Sequence, residues 1–340
     1  MEEKIGQMLL VGFRGTAFSE HSTIYHDIVN HHIGSVILFD FDVQSGKPGR
    51  NITSPTQLKK LTDDLHAISK TPLFISIDQE GGVVNRLKPE LDFPPSLSHQ
   101  ELGEHGDAKF TYYQASRIAE TLRQLGINLN FAPCVDINVN PDNPIIAGKE
   151  RSFSSDPQKV AIHAEAYLRA HHDRGIIGCP KHFPGHGSSK DDTHLGMADV
   201  TDTWTEDELI PYRHLISARL CEMIMTTHII NRNLDPGKPA TLSNRILNGM
   251  LRNQLGYDGV IISDDLEMGA ISKHFGLKDA VESAILAGVD ILTFGKNIAS
   301  EPADTSHVIS IIKDMLDNGL IDVKRIDESY ERVMRLKGRL

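Results

Sequence analysis

The stretch DAKFTYYQASRIAETLRQLGINLNFAPCVDI, from Asp107 to Ile137, decides the fold. Asp107 can accept hydrogen bonds from the free N–H groups that begin a helix. Ala115, Ile118, Ala119, Leu122 and Leu125 then recur at spacings of three and four, which places them on one helical face. Gly126 suits the left-handed position that ends such a helix. The chain runs straight on into Asn128–Ile137, an apolar segment that reads as a strand.

The same helix–glycine–strand join recurs at Gly34, Gly175, Gly256 and Gly288. Besides Asn128–Ile137, strands are predicted at Met8–Phe13, Ser35–Phe39, Leu73–Ile77, Ile176–Cys179, Met223–Thr227, Val260–Ser263 and Asp290–Phe294. They are near-continuously apolar rather than alternating, as parallel strands covered on both faces are. Eight strands separated by helix-length amphipathic stretches predict an α/β fold of the (β/α)₈ TIM type. A single domain is expected over residues 1–340, because no Pro/Ser-rich linker or shift in composition divides the chain. The lack of a GxGxxG after an early strand argues against a dinucleotide-binding sheet. Asp322–Leu340 reads as a final helix packed on the barrel. Asp40–Pro55, with Gly46, Pro48 and Gly49, reads as a loop inserted after the second strand, on the rim where it can shape the mouth of a site.

The chain carries 35 Lys and Arg against 46 Asp and Glu, a formal net charge of −11. Nucleic-acid and anionic-membrane partners need a basic face, so neither is expected. Cys134, Cys179 and Cys221 are too few and too dispersed for a disulfide framework or a CxxC site, and each is expected to be a buried small hydrophobe. No segment has the roughly 18 apolar residues of a membrane span, and no signal-peptide pattern opens the sequence. A monomeric cytoplasmic protein is expected.

The C-terminal ends of the predicted strands carry Asp40, Asp78, Asp136, Lys181-His182, His228 and Asp264-Asp265. In a barrel all of these meet on one rim, the face that carries active sites. The densest segment is Lys181-His-Phe-Pro-Gly-His-Gly-Ser-Ser-Lys-Asp-Asp-Thr-His194. Its glycines let the loop bend over the mouth and move. Asp192 and His194, two apart, can reach one pocket, where a carboxylate orients the imidazole and favours its protonated form. Asp264 ends an apolar strand, which holds a carboxylate rigidly and suits a nucleophile. Asp265, one residue on, is expected to point the other way and to cap the next helix. In Ile77-Asp-Gln-Glu-Gly-Gly-Val-Val-Asn-Arg86, Asp78 and Arg86 can hold sugar hydroxyls, and the Gly-Gly pair permits close backbone approach to a ligand. Arg151, Lys181 and His182 add donors to the same rim.

These motifs resemble glycoside hydrolase family 3, in its single-domain bacterial β-N-acetylglucosaminidase branch. The likeness runs from Ile5-Gly-Gln-Met-Leu-Leu-Val-Gly-Phe through Asp78-Gln-Glu-Gly-Gly, Asn130-Phe-Ala-Pro, Asp136-Ile-Asn-Val-Asn-Pro and Arg151-Ser-Phe. It continues through Lys181-His-Phe-Pro-Gly-His-Gly and Ser263-Asp-Asp-Leu. The resemblance implies Asp264 as nucleophile, His194 as acid/base and Asp192 as its partner. It implies that Asp78, Arg86, Arg151, Lys181 and His182 hold the terminal sugar, with no metal or organic cofactor. The implied substrate is a small carbohydrate bearing terminal β-linked N-acetylglucosamine, from peptidoglycan-turnover muropeptides or chitobiosides. Two places depart from the family pattern: Val83 stands where Arg is usual after Gly-Gly, and Asp40–Asn51 is longer than the usual loop.

The implied mechanism is double displacement with retention. A route assisted by the 2-acetamido group would need paired carboxylates. A phosphorylase would admit phosphate beside a neutral imidazole at His194. A metal-dependent hydrolase would use His182, His186 and His194, whose spacing on a Gly/Pro loop fixes no coordination geometry. A sugar-binding protein on an inactive barrel would have lost one of Asp264, His194 and Asp192, and all three are present.

Overall fold

The helix read at Asp107 forms over Ala108–Gln124 in the computed structural model, which describes residues 1–193 and 196–340. The Asp107 carboxylate accepts from the Lys109 N–H at 2.8 Å, and Ala115, Ile118, Ala119 and Leu122 are buried on one face. Gly126 adopts φ +72°, the left-handed turn that releases the chain into the next strand.

Eight parallel strands follow the expected order: β1 (Leu9–Gly12), β2 (Ser35–Leu38), β3 (Phe74–Ile77), β4 (Leu129–Asn130), β5 (Ile177–Gly178), β6 (Met223–Met225), β7 (Val260–Asp265) and β8 (Ile291–Phe294). Their order in the sheet is β5-β4-β3-β2-β1-β8-β7-β6. The two ends meet just past β5. There the Phe183 N–H donates to the Met225 carbonyl and the Thr227 N–H to the Phe183 carbonyl, both at 2.9 Å, so the sheet closes on itself. The predicted (β/α)₈ barrel is the fold observed.

Side chains fill the barrel. Leu10, Ile37, Phe74, Leu129, Ile177, Met223, Val260, Ile262 and Ile291 form an inner cluster separate from the larger layer between strands and helices. The expected final helix spans Val323–Lys337, capped by Asp322, and its Val333 and Leu336 join the inner cluster. Lys337 is buried there with Nζ donating to Gln7 Oε1 (2.6 Å) and the Gly34 carbonyl (2.8 Å), and burial pushes its ammonium down to about 7. Among the described residues no helix is long and apolar enough to cross a membrane.

Two expectations need correction. The strand read over Asn128–Ile137 ends at Asn130, because Pro133 has no N–H to give the ladder; among the described residues one further pairing, Cys134 with Lys181, continues it. The Asp40–Pro55 insertion is more than a loop. Phe41–Asp42 pairs antiparallel with Lys47–Pro48, and Pro55 already belongs to the helix Pro55–Ile68, capped by Ser54.

Candidate active site

A cavity of about 300 Å³ opens at the C-terminal end of the barrel. It is lined by Asp78, Arg86, Arg151, Lys181, His182 and Asp264, so six of the eight expected site residues meet in one place. The volume lies at the lower end of the roughly 300–1,000 Å³ typical of ligand pockets. Asp192 lies on the loop after β5, near enough to Lys149 to favour that ammonium's charge. His194 lies outside the described residues. Its neighbour Thr193 lines the cavity, and the Thr193 carbonyl accepts from the Ala270 N–H at 3.1 Å, which ties the loop to the segment after β7.

The floor is a buried charge network. Lys181 Nζ donates to Asp78 Oδ1 (2.8 Å) and lies 2.7 Å from Glu80 Oε1. Arg151 clamps Glu80 with both arms of its fork, Nε to Oε2 at 2.9 Å and Nη2 to Oε1 at 2.7 Å. Burial works against every charge here. Even so, the Arg151 guanidinium and the Lys181 ammonium hold Glu80 well below the usual carboxylate range. Lys181, with Arg86, also lowers the Asp78 carboxyl below its ordinary value. In return Asp78 and Glu80 keep Lys181 firmly protonated. All four groups are therefore ionised at neutral pH and offer a sugar charged donors and acceptors.

His182 is held by a second buried carboxylate. Its Nδ1 lies 2.6 Å from Asp136 Oδ2, and its Nε2 lies 3.1 Å from Arg151 Nη2. Because Arg151 can only donate, the neutral tautomer that satisfies both contacts carries its proton on Nδ1. Asp136 also accepts from the backbone N–H of His186 at 2.8 Å, which anchors the turn of the loop. Both ring nitrogens of His182 are thus committed to the protein; His186 Nε2 faces Thr193 Oγ1 at 3.4 Å, and burial pushes its imidazole down to about 4. Cys134, Asp136 and His182 bring potential ligand atoms within 4.8 Å of one another. That set does not suit a metal. Burial raises the Cys134 thiol well above its ordinary value, and the Arg151 cation stands against His182.

β7 carries Asp264 between β6 and β8. Ile262 pairs with Ile291, but Asp265 pairs with Thr293, so three steps on β7 oppose two on β8. This bulge re-aims the strand end. It overturns the expected alternation: Asp264 and Asp265 both line the cavity. Nor does Asp265 cap a helix. Its Oδ1 accepts from the Glu267 N–H (3.0 Å) and the Gly295 N–H (3.2 Å), tying β7 to the end of β8. Burial, and then the nearby Glu267, raise the Asp265 carboxyl well above its ordinary range.

Other rim residues take supporting places. His228 is buried between Thr241 Oγ1 and the Asp265 carbonyl, and Asp40 is paired with Lys88 at 2.6 Å. Gly81 and Gly82 pack against Leu97 and Ser98 of their own chain rather than lining the cavity, which corrects their expected ligand contact. Val83 is exposed to solvent and does not line the cavity either. Glu80 had no expected role and Asp136 was expected only as one of the strand-end rim residues, although both stand inside the quoted motifs. Glu80 is two residues beyond Asp78, the spacing that puts both on one side of an extended chain.

The glycine loop is shaped by close approach. Gly187 lies so near the Ile137 carbonyl that a Cβ there would collide with it, and its N–H donates to the buried Glu208 at 3.0 Å. Gly187→Ala is expected to displace the loop and to lower kcat/KM by about 100-fold, the scale of an ångström-sized misplacement. Steady-state kinetics beside a melting curve would check this, and native kinetics in a folded variant would refute it.

The glycosyl hydrolase family 3 N-terminal domain description matches residues 1–336. The chain belongs to glycosyl hydrolase family 3. Beta-hexosaminidase A of Pseudoalteromonas piscicida is 35% identical to this family 3 chain over 338 residues, 92% of this chain and 54% of that protein. The chain thus spans about half the length of that relative. Beta-hexosaminidase LpqI of Mycobacterium tuberculosis is 32% identical, covering 99% of this chain and 82% of its own. Among solved structures, a family 3 beta-N-acetylglucosaminidase from Paenibacillus sp. superposes with a TM-score of 0.88 at 35% identity, over 100% of this chain and 62% of that one. The resemblance read from the motifs is therefore to the family the chain belongs to.

Proposed function

We propose that this family 3 chain is a retaining exo-β-N-acetylglucosaminidase that releases terminal β-linked N-acetylglucosamine through a covalent intermediate on Asp264. The observation that carries the reading is the placement of Asp264 on β7, facing a cavity whose floor is Asp78, Lys181, Arg151 and His182. The names of its relatives, beta-hexosaminidase and beta-N-acetylglucosaminidase, supply the sugar class. A closed floor admits one terminal residue, and the ionised Asp78–Lys181 pair would hold its hydroxyls. Asp264 attacks the anomeric carbon, and the bond to the leaving oxygen breaks as protonated His194, with Asp192 beside it, donates its proton. Neutral His194 then takes a proton from water, which attacks the same carbon and frees Asp264. Muropeptides from peptidoglycan turnover and chitobiosides both present such a terminus.

A 2-deoxy-2-fluoro glycosyl donor tests the route. It should accumulate a covalent adduct that peptide mapping places on Asp264. One observation favours a second route: Asp265 also lines the cavity, so a pair of carboxylates is available for assistance by the 2-acetamido group. That route leaves no adduct and slows steeply as the acetamido group is fluorinated. Repeating the assay with phosphate separates hydrolysis from phosphorolysis, which would release sugar 1-phosphate.

A further inference from the structure

The cavity changes character along its depth. Lys181, His182 and Arg151 on its floor are 2%, 6% and 8% exposed, whereas Phe41 and Val43, which line the same cavity, are 40% and 52% exposed. The charged groups lie deep, beside the buried apolar side chains of Ile37, Phe131 and Met225, and two apolar side chains stand exposed at the mouth. Both mouth residues come from the insertion after β2, Phe41 lying in the hairpin strand and Val43 just after it.

That hairpin is held firmly. Asp42 receives Arg14 Nη2 at 3.0 Å and Arg50 Nη1 at 2.9 Å, and the Arg14 and Arg50 cations keep its carboxyl well below the usual range. Arg50 Nη2 also donates to the Lys296 carbonyl (2.6 Å). Asn297, beyond β8, then brackets the exposed residues. Its Oδ1 accepts from the Val43 N–H and its Nδ2 donates to the Phe41 carbonyl, each at 3.1 Å. Backbone on both sides of Asp42 is thereby fixed to the barrel, so the positions from which the two apolar side chains project are set before any ligand arrives. Preorganised apolar surface of this kind binds without an ordering cost.

We propose that Phe41 and Val43 form the leaving-group subsite and determine specificity there, with the Phe41 ring taking the C–H face of the pyranose attached to the departing oxygen. The proposal rests on reading the site as an exo-glycosidase: if the floor takes the terminal sugar, the group joined to it must lie toward the mouth. A pyranose presents axial hydrogens on one face, which match an aromatic ring, and its hydroxyls can remain in water at the open rim. The polar surroundings continue outward through Arg86 and Lys149, which line the same cavity and can meet those hydroxyls.

Two substrates with one glycon separate the contributions: β-N-acetylglucosaminyl fluoride, which has no sugar leaving group, and N,N′-diacetylchitobiose. Phe41→Ala should lower the ratio of disaccharide to fluoride kcat/KM about tenfold, the scale of a single aromatic contact, with the loss appearing in the disaccharide KM. Phe41→Trp should preserve the ratio, and because Phe41 is exposed neither change opens a core cavity. The proposal is overturned if Phe41→Ala leaves the ratio unchanged, or if Phe41→Trp lowers it as much as alanine does. A wild-type protein inert on both substrates would instead overturn the glycosidase reading, and this inference with it.

Discussion

Asp264→Asn is expected to lower kcat on an aryl β-N-acetylglucosaminide by at least about 10⁴-fold, roughly 5.5 kcal/mol of lost barrier reduction. Asparagine cannot form the glycosyl ester, yet it fits the space. The present Oδ1 accepts from the Asp265 N–H at 2.8 Å, and an amide oxygen can accept the same bond. The strand, its bulge and the charged floor should therefore survive, with unchanged melting and near-native affinity for free N-acetylglucosamine. Isothermal titration beside kinetics would test both halves. Near-native turnover would remove Asp264 from the role of nucleophile. Equal loss of binding and turnover would show that it holds the sugar instead.

The features legible in the sequence are those that depend on local spacing. Helix Ala108–Gln124 follows from Asp107, a stripe of apolar residues and Gly126, and each is decided within a few neighbours. The meeting of Asp78, Lys181 and Asp264 was equally accessible, because a parallel barrel gathers every strand end on one rim, whereas Arg151 reaches it from the long loop after β4. What stayed hidden depends on pairing between distant strands. The bulge that turns Asp265 into the cavity arises from register against β8, which no property of Ser263-Asp264-Asp265 itself discloses. Glu80 looks like an ordinary motif residue until Arg151, 71 positions away, closes on it. The insertion after β2 was legible in length and place but not in form. Its hairpin depends on Arg50 within the insertion and on Arg14 and Asn297 from two distant segments.

Glu80 is where the stability of the site concentrates. It is 1% exposed and answers two cations, Arg151 through a bidentate clamp and Lys181 at 2.7 Å. Glu80→Gln keeps the shape but leaves Lys181 and Arg151 facing each other, with only Asp78 to answer Lys181 and Asp136 to answer Arg151. Breaking a buried ion pair from one side costs about 3–5 kcal/mol, which should appear as a lower urea midpoint with an unchanged slope. The acid dependence gives an independent readout. Because its folded-state value is depressed, Glu80 contributes stability that is complete above its unfolded value near 4.3 and is lost as pH falls toward the folded one. The variant should lose part of that acid sensitivity. Asp78→Asn offers the contrast, since Asp78 is open to the cavity and Glu80 closes the floor beneath it. Its cost should fall mainly on KM and inhibitor binding, with a smaller change in the urea midpoint. If the two variants were equally destabilised and equally impaired in binding, the division between a residue that holds the sugar and one that holds the site would not stand.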